Sequence, residues 1–425
     1  MFIHSASQLL TLSTGPQRGG DLGTLNIIHD GAVAIQDGRF TKIGETAELL
    51  PQVDAEVEID ASGQVVMPGF VDPHTHLIWV GDRSAEFKQR IAGATYMEIM
   101  AAGGGIMSTV RQTRAASVEQ MMAEARPRMT RMLRHGTTTA EAKTGYGLNT
   151  DTEISMLETI RRLKSEKHLE LVPTFLGAHT IPEEFSQDPD AYVDLLCNEM
   201  IPEVQRWWER SGRSEPKPFI DVFCETGAFS LEQSRRILTT ARDLGFPLKI
   251  HADEFEGLGG TGLAIELGAI SADHLVHTPA EDIAALGRSD TVAVALPCTP
   301  FGLAENDYTP AKAIIDAGGI LAIATDLNPG TAWCESMQFA IALACRYMHL
   351  TPSQAIAAGT INAAAALGLS ESVGSISTEK QADLIILDAP DYGYLGYRFG
   401  INLVSCVVKR GKVLINTLKQ ENLRL

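Results

Sequence analysis

The sequence predicts an α/β protein, a (β/α)₈ TIM-type barrel with a small β-sandwich domain built from both termini. Three observations carry that expectation. From about residue 136, short β-like runs alternate with longer amphipathic stretches, the pattern of parallel strands joined by helices. Eight such runs can be counted, enough to close a barrel. The two ends of the chain break the rhythm with short alternating strands of their own.

The first barrel strand is expected in GFVDPHTHL (69–77), at the end of the apolar run that begins at Val65. The others are expected in TTTAEAKT (137–144), LELVPTFLGAH (169–179), FIDVFCE (219–225), PLKIHADE (247–254), ISADHL (270–275), TVAVALP (291–297) and ILAIATD (320–326). Helices are expected between them, for example over 152–166 and 231–245. In the second, Leu231, Ile237, Leu238 and Leu244 share one helical face and Gly245 is a stop signal. Residues 1–64 and 376–425 are expected to form one composite β-domain, with the barrel over 65–375 inserted between them. Lys409-Arg410-Gly411-Lys412 has the composition of a hairpin turn.

Composition excludes several function classes. The chain has 425 residues, 44% hydrophobic and 21% charged, with a mean hydropathy of +0.01, as in ordinary globular proteins. A net charge of −18 argues against a nucleic-acid partner, which calls for a basic footprint. The six cysteines are scattered with no CxxC pair, as expected of free thiols in a reducing compartment. The first fifteen residues lack the basic start and long apolar stretch of a secretory signal, and no apolar run is long enough to cross a bilayer. A cytoplasmic protein is expected, without a membrane partner.

In such a barrel the site lies at the C-terminal ends of the strands. His74 and His76, at i and i+2 on strand one, point to one side. Further along, strand ends carry Lys143, His179, His251 with Glu254, His274 and Asp326. A single buried histidine is more often a satisfied core residue, and Asp326 alone suits a helix cap. Together, His74, His76, His251 and Asp326 make an N₃O set for one Zn²⁺ or iron ion with a position open to water. Lys143 has two readings: a carbamylated bridge between two metals, or a structural residue beside Thr144-Gly145-Tyr146, with one metal favoured. His277 and His349 read as structural. AAGGGI (101–106) lacks a following Lys-Ser/Thr and reads as a loop over the barrel mouth rather than a phosphate cradle.

The PGFVDPHTH strand with its later His and Asp ligands resembles the amidohydrolase superfamily, and the resemblance covers nearly the whole chain, including KQADLIILD near the C-terminus. A narrower resemblance rests on TYMEIMAAGGGIMSTVRQTR (95–114), AKTGYGLN (142–149), TFLGAH (174–179), IHADEF (250–255) and TDLNPGT (325–331). It implies hydrolysis of the cyclic amide in a small imidazolone ring that bears a propionate. It also implies metal ligation by His74, His76, His251 and Asp326. Substrate contacts are implied for Arg83, Tyr146, His179, Glu254, Asn328, Gly330 and Thr331. On that basis Arg83 would grip the carboxylate and His179 would hydrogen-bond the ring carbonyl. Glu254, His274 and Asp326 would move protons. Two other readings stay open: a deaminase of the same superfamily acting on another small N-heterocycle, and a barrel without catalysis that serves as a binding protein. A homodimer is expected.

Overall fold

The structure is a computed structural model that describes residues 1–93, 103–212, 215–418 and 423–424. The stretch 95–102, which opens the narrower resemblance and includes the first two residues of the expected mouth loop, therefore lies outside the described residues. Eight parallel strands pair in chain order. They are β1 (Phe70–Asp72), β2 (Thr137–Lys143), β3 (Glu170–Ala178), β4 (Phe219–Cys224), β5 (Lys249–Ala252), β6 (Ser271–His274), β7 (Val292–Ala295) and β8 (Ile320–Ile323). Every expected barrel strand is present. Runs such as VAVA and ILAI are buried along their whole length, as suits strands covered on both faces.

The barrel closes between its first and last strands. Thr75 and Leu327 form a parallel bridge just beyond the ends of β1 and β8. The His76 amide donates to the Leu327 carbonyl (2.8 Å), and the Asp326 amide to the His74 carbonyl (3.1 Å). Below them the buried Asp72 carboxylate accepts from the Thr325 amide (3.1 Å) and hydroxyl (2.6 Å).

Local signals explain the helix ends. Ser230 and Gln233 form a capping box at the start of the helix Leu231–Asp243, satisfying amides that have no partner within the helix. Ile237, Leu238 and Ala241 are its buried face. Leu244, expected on that face, caps the helix and is 37% exposed. The helix ends one residue before it, so the periodicity no longer applies there.

The terminal domain packs two sheets drawn from both ends of the chain. One holds Phe2–Ala6, Gly31–Gln36, Arg39–Glu45, Glu58–Asp60 and Leu423–Arg424; the other holds Gln8–Leu10, Ile27–Ile28, Val65–Pro68, Leu384–Leu387, Val404–Lys409 and Lys412–Asn416. Ile3, Val33, Phe40, Leu384 and Val408 share the core between them. Arg410 (φ 48°) and Gly411 (φ 71°) form the tight turn of the last hairpin, a conformation that requires positive φ at both central residues. Val65–Pro68 pairs antiparallel with Leu384–Leu387, so these residues belong to the terminal sheet. The chain then passes through Gly69 into β1. A Cβ at Gly69 would stand 2.4 Å from the Thr138 side chain, so close passage demands glycine there. Among the described residues no helix is long and apolar enough to cross a membrane.

Asn362 ties the two domains together. Its buried amide accepts from Gln17 N (2.7 Å) and donates to the carbonyls of Gln17 (2.9 Å) and Leu321 (2.8 Å). Asn362→Leu strands these three backbone groups, each at a cost of about 1–3 kcal/mol when buried and unpaired. The expected outcome is a clearly lower thermal midpoint with unchanged metal content in the folded fraction, measured by calorimetry and elemental analysis.

Candidate active site and metal centre

The C-terminal mouth of the barrel holds a cavity of about 580 Å³ whose wall includes His76, Arg83, Tyr146, His179, His251, Glu254, His274, Asp326, Asn328, Gly330 and Thr331. His74 lies just beneath, fully buried. Residues expected from separate strand ends thus meet in one place. His277 and His349 are exposed.

At the floor, ligand-type atoms converge. Asp326 Oδ1 is 3.5 Å from Nε2 of both His74 and His76, and Nε2 of His251 faces Nε2 of His76 at 3.4 Å. His74 Nε2 and Asp326 Oδ1 are buried without any protein partner, which a folded protein avoids unless something else binds them. Three imidazoles and a carboxylate suit zinc or iron. Burial, then the Lys143 ammonium, pushes His74 well below the usual histidine range; burial does the same to His76. Both are thus neutral, as a ligand must be. His274 also comes within ligand range of His74 and His251.

Buried carboxylates stand behind two of the histidines. His74 Nδ1 donates to Asp273 Oδ2 at 2.6 Å, which leaves Nε2 as the lone-pair nitrogen. His251 Nδ1 is 3.1 Å from Asp221 Oδ2. Burial would lower the Lys143 pKa, but Asp221, Glu141 and Asp273 outweigh it and hold the amine above its ordinary range. Its Nζ lies 2.6 Å from Asp221 and 2.9 Å from Glu141, so Lys143 is a fully paired ammonium.

Asp326 is held by the Thr299 hydroxyl on Oδ2 (2.5 Å), while burial raises its pKa to about 6. Glu254 is pushed well above the carboxylate range by burial and by the Asp326 charge, which favours its protonated form. Its Oε1 is 3.4 Å from His274 Nδ1.

His179 differs from the expected donor to a ring carbonyl. Its Nδ1 is 2.9 Å from the Gly145 carbonyl, an atom that only accepts, so Nδ1 bears the proton. Burial, then His251, lowers its pKa to about 4. The neutral ring therefore offers Nε2 as an acceptor. The turn that supplies this carbonyl is built by Glu153, whose buried carboxylate accepts from the amides of Gly145, Gly147 and Leu148. That turn also presents Tyr146, a buried phenol that burial keeps protonated.

Arg83 begins the helix Ser84–Ile91, and its Nε donates to Glu86 Oε2 at 2.7 Å. The guanidinium lies over Gly330, where a Cβ would fall 2.4 Å from Nη1. Asn328 behaves otherwise than a free substrate ligand. Its amide nitrogen donates to the Asp326 carbonyl (2.7 Å) and the Thr331 hydroxyl (2.9 Å). Its oxygen accepts from Gly330 N and Thr331 N, both at 2.8 Å. Its valences are spent on shaping the turn beneath Arg83. Sequence reasoning missed Glu86, Arg90, Phe223 and Glu305 on the cavity wall, and Asp221 and Asp273 behind the histidines. Asp273 stands beside His274 in SADH, a buried acid within a strand, and was the one legible signal.

Residues 65–414 match the amidohydrolase family model. The chain is 53% identical to an imidazolonepropionase of Herpetosiphon aurantiacus, over 96% of this chain and 97% of that protein. It is 47% identical to one of Chloroflexus aggregans, over 98% of each. Solved structures share the fold at lower identity. An adenosine deaminase of Xanthomonas campestris with bound zinc aligns at TM-score 0.72 and 19% identity, over 98% of this chain and 93% of that one. The guanine deaminase of E. coli aligns at TM-score 0.71 and 15% identity, over 98% of each. With its family match, its full-length relatives and a barrel mouth of converging histidines, the chain belongs to the amidohydrolase family and, within it, to the imidazolonepropionases.

Proposed function

We propose that the protein hydrolyses the cyclic amide C–N bond of 4-imidazolone-5-propanoate to N-formimidoyl-L-glutamate in histidine breakdown, using one zinc or iron ion per chain. The observation that carries this reading is the pairing of a metal-type floor with a clamped arginine at the rim. A ring reacts at the floor while its carboxylate is held above. The full reading includes a homodimer in the cytoplasm.

His74, His76, His251 and Asp326 would hold the ion, and the unpartnered buried Nε2 of His74 and Oδ1 of Asp326 support that set. A bound ion of this kind lowers the pKa of water and polarises a carbonyl. The remaining chemistry belongs to side chains. Water adds to the ring carbonyl carbon, the C–N bond breaks, and the departing nitrogen takes up a proton. Glu254 and His274, 3.4 Å apart, are placed as a proton-carrying pair, with Asp326 beside the ligand floor. His179, with Nδ1–H committed to Gly145, accepts a ring N–H through Nε2 and so orients the ring. Arg83 engages the propionate through its remaining N–H groups while Glu86 holds Nε. Tyr146 offers a phenol hydrogen bond nearby. Asn328 holds Gly330 and Thr331 in the turn under the guanidinium.

Elemental analysis is expected to find one zinc or iron per active chain. Chelation should stop the loss of imidazolone ultraviolet absorbance, and added metal should restore it. Two metals per active chain would count against the single-ion reading and return Lys143 to the role of a bridge.

Glu254→Gln and His274→Gln are each expected to lower kcat by about 10²–10⁴-fold, the usual worth of a general acid or base, with metal content intact. Loss of metal from His274→Gln would make His274 a ligand instead of a proton carrier.

Arg83→Ala is expected to raise KM by roughly 10- to 150-fold, since charge-assisted hydrogen bonds contribute about 1.5–3 kcal/mol. Arg83→Lys should recover part of the loss, because an ammonium has no fork. Gly330→Ala should shift KM in the same direction, because the new methyl displaces the guanidinium. Wild-type kinetics in Arg83→Ala would leave the carboxylate unrecognised and favour a deaminase.

A further inference from the structure

Beneath the metal-type floor lies a layer of five charged residues, all with fully buried side chains: Glu141, Lys143, Asp221, Lys249 and Asp273. Lys143 Nζ reaches Asp221 (2.6 Å), Glu141 (2.9 Å) and Asp273 (3.8 Å). Lys249 Nζ reaches Glu141 (3.1 Å) and Asp273 (3.6 Å) and donates to the Pro73 carbonyl (2.8 Å). Two ammoniums thus face three carboxylates, two of which, Asp221 and Asp273, also face histidines.

Stability alone is a poor account of this layer. Buried ion pairs give back in attraction roughly what desolvation costs, and apolar side chains of similar volume often do as well or better. Asp221 stands 3.1 Å from His251, and Asp273 makes the shorter contact, a hydrogen bond to His74. Asp273 Oδ2 accepts from His74 Nδ1 at 2.6 Å, while Oδ1 accepts from the Ser271 hydroxyl at 2.6 Å. One carboxylate oxygen is thereby anchored within its own strand and the other is aimed at the imidazole. His74, Glu141 and Asp273 also bring ligand-type atoms within 4.8 Å of one another, an arrangement that could hold a second cation. The two lysine ammoniums pair with those same carboxylates.

We infer that Asp273 is a positioning residue for the metal centre, fixing His74 with Nδ1 protonated and Nε2 free, and that Lys143 and Lys249 hold it there in place of a second metal ion. The inference deepens the proposed function and rests on its reading of His74 as a ligand. Asp273 needs no contact with substrate. Its effect passes through the orientation, tautomer and basicity of one imidazole.

The test uses the whole protein and reads metal affinity and tautomer, not turnover. Zinc affinity is measured by chelator competition on wild type, Asp273→Ala and Asp273→Asn, with circular dichroism to confirm folding. Asp273→Ala is expected to bind zinc about 10–100-fold more weakly, the usual effect of losing such a partner. Asp273→Asn should recover part of that loss, because its amide oxygen still accepts from Nδ1. In metal-free wild type, imidazole ¹⁵N shifts should show His74 protonated on Nδ1. A folded Asp273→Ala protein with wild-type zinc affinity overturns the inference. If that variant does not fold, the tautomer decides, and a His74 ring protonated on Nε2 overturns it equally. Wild-type protein that binds no zinc at all would instead defeat the underlying ligand assignment.

Discussion

The closure of the barrel between its first and last strands is the constraint on which the site depends. His74 and His76 leave one edge of the sheet and Asp326 leaves the other, separated by some two hundred and fifty residues of chain. They meet because Thr75 pairs with Leu327 and the neighbouring amides and carbonyls bond across the seam. Asp72, fixed by Thr325 one layer below, sets the register of that seam. A slip of one residue would turn the histidines away from the cavity, because side chains alternate along a strand.

Burial then decides the protonation states. Removing charges from water is costly, and each group at the mouth answers that cost differently. His74 and His76 become neutral, while Glu254 is pushed toward its protonated form. Lys143 stays charged because carboxylates surround it. His179 is neutral and committed to a backbone carbonyl through Nδ1. The same residue types would behave alike in water; their positions give them separate tasks.

The rim is built on another principle. Arg83 is not buried among charges but clamped by Glu86 and seated over a residue without a side chain. Asn328 spends its own hydrogen bonds to hold that seat open. The fold is shared with deaminases at 15–19% identity, so the barrel by itself does not select a substrate. The loops after β1 and β8 bring Arg83 and Gly330 to this mouth.

The sequence by itself determined the barrel, since β/α alternation and strands of Val, Ile and Ala leave few other ways to bury their faces. It also determined which strand ends carry titratable groups, because His and Asp within apolar runs stand out. The hydrophobic period and the Gly245 stop located the helix expected over 231–245, failing at Leu244 where that helix ended early. Tertiary structure alone decided the rest. That Val65–Pro68 pairs with Leu384–Leu387 is a contact between distant segments that no local pattern encodes. The partner of each histidine, Asp273 for His74 and the Gly145 carbonyl for His179, depends on strand register and loop geometry. Hydrogen bonds fix which nitrogen bears the proton, and in a buried site those bonds come from residues far apart in the chain.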